Sequence, residues 1–180
     1  MAICKLDNNM KRSNSCGYSL PEIVDVYLIN YEDISGTAIS GEGGAEEITA
    51  ITLNASANTY HIEPAKGSAS FEDTLVVEDA GNKYRHAAVT FNVPGKYDAK
   101  MHANLDALSL GRYFAVVKTA DGNYLGFGRI SPIEAETATL AGGSENNGTQ
   151  VVLSGNIAES PLPLSDDCVT ALLATVKQDT

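Results

Sequence analysis

The chain has 180 residues and carries 23 Asp and Glu against 12 Lys and Arg, a formal net charge of -11 at pH 7. Nucleic-acid grip depends on neutralising phosphates with Lys and Arg, so this balance argues against a DNA- or RNA-binding protein, though not against one that lets nucleic acid pass. At 43% apolar and 19% charged residues the sequence reads as one globular domain that buries its own core. No apolar run approaches the roughly 18 residues of a membrane span, and the first residues are too polar for a signal-peptide core.

Residues 1–15 are polar and aperiodic and read as an arm, with the domain proper over 16–180. Three scattered cysteines, Cys4, Cys16 and Cys168, make no disulfide framework and fit folding in a reducing compartment. The first strand is predicted over 21–31 (PEIVDVYLINY), rich in β-branched and aromatic residues. Residues 32–45 (EDISGTAISGEGGA) read as a long polar loop. A second strand follows over 47–55.

The stretch 58–94 reads as one long antiparallel hairpin that organises the domain. Its turn is 78–82, where Gly81 and Asn82 tolerate positive φ. On the return arm Arg85, Ala87, Val89, Phe91 and Val93 share one face, and Tyr84, His86, Ala88, Thr90 and Asn92 share the other. On the outgoing arm Phe71, Leu75 and Val77, interrupted by Asp73, lie opposite Glu72, Thr74 and Glu78, with Val76 the exception. One face of this ribbon calls for a core and the other for water. Pro64 and Gly67 are expected to kink the outgoing arm.

A helix is predicted over 98–109, with Asp98 as its cap, Met101, Leu105 and Leu108 as its apolar stripe, and Gly111 in the left-handed position that ends it. Residues 112–119 and 124–130 form a hairpin around Asp121-Gly122. Strands follow over 133–140 and 150–155, with a flexible connection at 141–148. Pro161 and Pro163 exclude a central strand there. Residues 166–177 fit either a short helix behind a Ser165 cap or a strand, and the helix is preferred. The whole describes a mainly β protein, an antiparallel sandwich or partly open barrel with one flanking helix.

No catalytic constellation emerges. The nucleophile elbow and the phosphate-cradling loop are both missing. His61 and His86 fall on arms of the same expected ribbon, with Glu63 or Glu72 as conceivable co-ligands of a metal, but their spacing shows nothing a ligand set requires. The acid pairs 46–47, 72–73, 78–79 and 166–167 read as solvated charge, since adjacent residues of a strand point to opposite faces. The expectation is a protein with no enzyme activity, no metal and no cofactor.

Four segments together resemble the major tail tube proteins of tailed bacteriophages, particularly those of phages of Bacteroides-like hosts. They are CGYSLPEIVDVYLINYEDI (16–34), the ribbon over 60–94, LDALSLGRYFAVVKTADGNYLGFGRI (105–130) and NNGTQVVLSGNIAESPLPL (146–164). The resemblance implies a β-sandwich with a flanking helix that assembles into rings, typically hexameric. The rings stack into a hollow virion tube built in the host cytoplasm. Its partners would be other copies of itself and further tail proteins (tape measure, terminator, baseplate or sheath), with DNA passing through unbound. On that reading the bore is lined by His61, Glu63, Glu72, Thr74, Glu78, His86, Thr90 and Asn92. The loop carrying Ser40, Gly41, Glu42, Gly43, Gly44 and Glu46 reaches the next ring. A different tail component of the same fold, such as a terminator or ring, or a host-surface binding module, is the alternative.

Overall fold

A computed structural model describes residues 22–41, 46–94, 99–142 and 148–178. The expected arm, Asp98, the connection at 143–147 and Glu42, Gly43 and Gly44 lie outside them. In chain order the elements are β1 (Ile23–Asn30), a 3-10 turn (Tyr31–Asp33), β2 (Ile34–Ser40), β3 (Glu47–Leu53), β4 (Tyr60–Ile62), β5 (Ser70–Val77) and β6 (Lys83–Val93). Then come α1 (Ala99–Leu110), β7 (Arg112–Thr119), β8 (Tyr124–Phe127), β9 (Ile133–Ala141), β10 (Gly148–Ile157), β11 (Leu162–Pro163) and α2 (Asp166–Ala174). The protein is mainly β, its sheets are antiparallel, and they do not close into a barrel.

The main sheet has two parts. In one, β4, β1, β7, β8 and β11 lie side by side; in the other, β9, β10, β6 and β5 do. Among the described residues they are joined by strand pairing where Arg112 and Tyr113 of β7 meet Glu134 and Ile133 of β9. One apolar core draws on both parts: Val26, Leu28, Ala115, Val117 and Phe127 from the first, Ala87, Val89, Phe91, Val151 and Leu153 from the second. The period-2 pattern of β6 is therefore its burial pattern, with Ala87, Val89 and Phe91 fully buried and their neighbours partly exposed.

Strands β1 and β7 are buried on both faces. Tyr27, Ile29, Phe114 and Val116 point away from the first core into a second one, completed by Ile48 of β3 and by Cys168 and Leu172 of α2. Such strands read as unbroken apolar runs, as VYLI and FAVV do. Helix α2 begins where Ser165 accepts a hydrogen bond from the Cys168 amide at 3.3 Å, with Asp166 and Asp167 in its first turn complementing the helix dipole. It is a second helix beside the one expected, and it settles the choice left open for the tail.

The sequence reading needs four further corrections. Residues 34–40, expected as loop, form β2 and pair with β3; β-branched Ile34, Thr37 and Ile39 outweigh the intervening Ser and Gly. The hairpin spans β5 and β6 only, because β4 turns away to pair with β1. Pro64 and Gly67 sit in the loop between β4 and β5, where Gly67 adopts φ +71° and Ala65 donates to the Asn92 carbonyl at 2.8 Å. Gly111 does not adopt positive φ. It is there for space, since a Cβ at this position would stand 2.1 Å from the Tyr113 hydroxyl, which donates to the Ala107 carbonyl at 2.8 Å. The stripe on α1 is as read: Met101, Leu105 and Leu108 are the helix's half-buried residues.

Gly111→Ala should lower the urea midpoint of unfolding by forcing Tyr113 out of place. Removing the hydroxyl with Tyr113→Phe in the same chain should return part of that loss. Additive effects of the two changes would dismiss the steric account.

Candidate functional site

The second face of the four-stranded part is a polar surface built by secondary structure. Register fixes its membership, since paired residues share a face. One row runs Glu72, Ala88, Ser154, Glu134; the next runs Thr74, His86, Asn156; on the other side lie Ser70, Thr90, Val152, Thr137 and then Asn92, Gln150, Thr139. A bulge between Val152 and Leu153 shifts β9 by one residue and brings Glu134 onto this face. Glu72 and Glu134 are its carboxylates, and these rows contain no Lys or Arg. Thr74 donates to Glu72 at 2.8 Å, and His86 Nδ1 lies 3.1 Å from Asn156 Oδ1.

Of the eight residues expected to line a bore, Glu72, Thr74, His86, Thr90 and Asn92 fall on this face. Glu78 sits in the turn beyond β5, exposed, 3.3 Å from Asn82 Nδ2. His61 and Glu63 do not join them, because β4 belongs to the other part of the sheet. The two histidines are thus not on one ribbon, and no group of three or more His, Cys, Asp or Glu able to hold a metal occurs among the described residues. Asn92 Oδ1 is buried and has no hydrogen-bond partner among them. Sequence reasoning missed Glu134, Thr137, Thr139, Gln150, Ser154 and Asn156. The alternation in QVVLSGN held part of that signal, but placing these residues on the β6 face needs a long-range pairing.

Both long edges of this unit lack a strand partner among the described residues. β5 pairs only with β6, and β9 meets β7 through Ile133 and Glu134 alone. Beyond that corner, residues 136–140 of β9 are all exposed. Of the residues expected at a loop tip, Ser40 ends β2, paired with Glu47, while Gly41 adopts φ +100° and Glu46 is partly exposed just before β3.

His61 belongs to a separate polar cluster. Its Nε2 lies 2.8 Å from Asp25 Oδ1, and its ring stacks on Tyr27 at 4.9 Å. Lys118 donates to the other Asp25 oxygen at 2.9 Å and lies 5.9 Å from the Tyr124 ring centre. Asp25 is 9% exposed. Its burial alone would disfavour the carboxylate, but hydrogen bonds from His61 and Lys118, with the lysine charge, outweigh this and hold its pKa below the ordinary 3.8. Burial first, then the Asp25 charge, pushes the Tyr27 hydroxyl up to about 12, so it stays neutral. Burial likewise raises the Cys168 thiol, the opposite of what a reactive cysteine needs. The cluster clamps β4, β1 and β7 together.

No family model, no curated protein and no solved structure matches the chain.

Because the folded-state pKa of Asp25 is depressed, its contribution to stability is complete above about the ordinary value and is lost as pH falls through the lowered one. Asp25→Asn should therefore reduce the unfolding free energy at pH 7 and flatten its decline below about pH 4, the carboxylate range. Equal pH slopes for parent and variant between pH 2 and 5, followed by chemical denaturation, would show that the clamp does not act through this ionisation.

Proposed function

We propose that the chain is a structural subunit of a phage-type tail tube, in which copies form closed rings and the rings stack around a conduit for DNA. In this reading the two parts of the sheet are the layers of a sandwich, and the polar face of β5, β6, β10 and β9 turns toward the bore. The observation that carries it is that β5, and β9 beyond Glu134, have no further strand partner among the described residues, with helix α1 packed near β9. Four antiparallel strands leave β5 and β9 running in opposite directions, so setting β5 of one copy beside β9 of the next continues the alternation without a break. An open edge on a lone subunit invites aggregation, and closure of a ring removes it.

The chemistry of the face suits passage rather than capture. Glu72 and Glu134 repel duplex phosphates, and the neutral Thr, Ser, Asn and Gln side chains offer no counter-charge to hold them. The function is mechanical and needs neither catalysis nor a cofactor. The segment 41–46, which joins β2 to β3, is the part we assign to contact with the adjoining ring. Tape measure, terminator and baseplate or sheath proteins are the partners such a tube would meet.

The purified protein should form tubes or stacked rings by negative-stain electron microscopy; a chain that sediments as a monomer at its highest soluble concentration refutes the reading. Glu72→Lys with Glu134→Lys should leave assembly intact yet make the tubes retain linear duplex DNA at low salt and release it at high salt. Assemblies that show no change in DNA retention would place this face away from the bore. Replacing residues 41–46 by Asn-Gly, which suits a two-residue hairpin, should leave rings that stack poorly. Unchanged tube lengths would remove that tip from the ring-to-ring contact.

A further inference from the structure

The two open edges share more than direction. Each leaves a leucine uncovered on the side of the sheet that elsewhere packs into the core. Leu75 of β5 is 54% exposed although it lies beside Arg85 and, across it, the buried Ile157. Leu140 of β9 is 59% exposed opposite Thr149. Val77, on the same side of β5, is 56% exposed. Strand residues of this size are left in water at two places that one contact between copies would cover together.

We propose that Leu75 of one copy sits directly opposite Leu140 of the next, which fixes the register of the seam. This rests on the ring reading and adds the residues that join it. The occupant of the β5 edge is a second copy of this chain, and two arguments favour it. The first is the matching of faces. With Leu75 opposite Leu140 in an antiparallel pair, Val77 falls opposite Ala138, so apolar side meets apolar side, and Val76 falls opposite Thr139 on the other. A slip of one residue would put the leucines on opposite faces. The second is cover. This register sets the two leucines against each other, although it also places Asp79 of the turn opposite Glu136. A shift of two residues in one direction sets Leu140 opposite Asp73 and Val77 against Glu136, and a shift in the other sets Leu75 opposite Gly142, which has no side chain to cover it.

Directly opposed residues of antiparallel strands have Cα atoms within disulfide range. The test is Leu75→Cys with Leu140→Cys, in a chain carrying Cys4→Ser and Cys16→Ser, oxidised with copper-phenanthroline under assembling conditions. The two positions lie on opposite edges of one subunit, so a bond between them links neighbours head to tail. The double variant should give a non-reducing ladder extending past the dimer, while each single variant gives none. Assembled particles without such a ladder would overturn the register and leave the tube reading standing; absence of any assembly in the parent would overturn both. A second measurement uses charge. Leu75→Lys and Leu140→Glu should each lower the assembled fraction in sedimentation, with folding unchanged by circular dichroism, and the two together in one chain should restore it. Additive losses instead of recovery would also refute the pairing.

Discussion

The double burial of β7 is the constraint on which the rest of the architecture depends. Its residues Phe114, Ala115, Val116 and Val117 are fully buried, two toward each core. The strand takes β1 on one side and β8, then the start of β9, on the other. Everything covering its outer face, namely β3, the end of the chain near β11 and helix α2, is held by that demand for cover. Its inner face packs into the core shared with β6 and β10, which carry the polar outer surface, and with Leu108 of α1. A polar residue at Val116 or Val117 would leave an unpaired group in one of the two cores, a cost of about a few kcal/mol in a domain whose total stability is of that order.

What was legible in the sequence follows from this division. Strand β6 faces core on one side and water on the other, so its alternation is visible residue by residue, and its hairpin with β5 was readable from Gly81 and Asn82. The β7–β8 hairpin was readable for the same reason, through Gly122 at φ +87°. Strand β2 was not: Ser35, Gly36 and Ser40 resemble loop chemistry, and what makes the segment extended is the neighbouring β3, with Ser35 donating to the Thr52 carbonyl at 3.0 Å. The path of β4 was also hidden. Nothing in YHI distinguishes a continuation of the hairpin from a strand beside β1, and the deciding contacts, Asp25 with His61 and Lys118, join residues far apart in the chain. The candidate site was half visible: β5 and β6 supplied their members by local alternation, while β9 and β10 entered through pairing that no local pattern encodes.

The ion pairs divide in the same way between scaffold and surface. Arg129 meets Glu159 through two bonds of 2.8 and 2.5 Å, both side chains less than a fifth exposed, and fixes the segment after β8 against the one after β10. Asp73 and Arg85 form a comparable pair across β5 and β6, just inward of Leu75. It ties β5 to β6, its one strand partner among the described residues. Arg112 with Glu32, and His102 with Asp106, are far more exposed and contribute little.

The end of the described chain has a consequence for where this sheet can grow. Thr59, fully buried just ahead of β4, donates its amide to the Thr175 carbonyl and accepts from the Lys177 amide, and its hydroxyl lies 2.8 Å from that of Thr175. The segment after α2 thereby guards the approach to β4, while at the far side β11 is two residues long and includes Pro163, which has no amide hydrogen to offer. One half of the molecule is finished with selvedges, and the other is left with raw margins. In the assembly proposed above, strand addition would therefore run through β5 and β9 and not through β4 or β11.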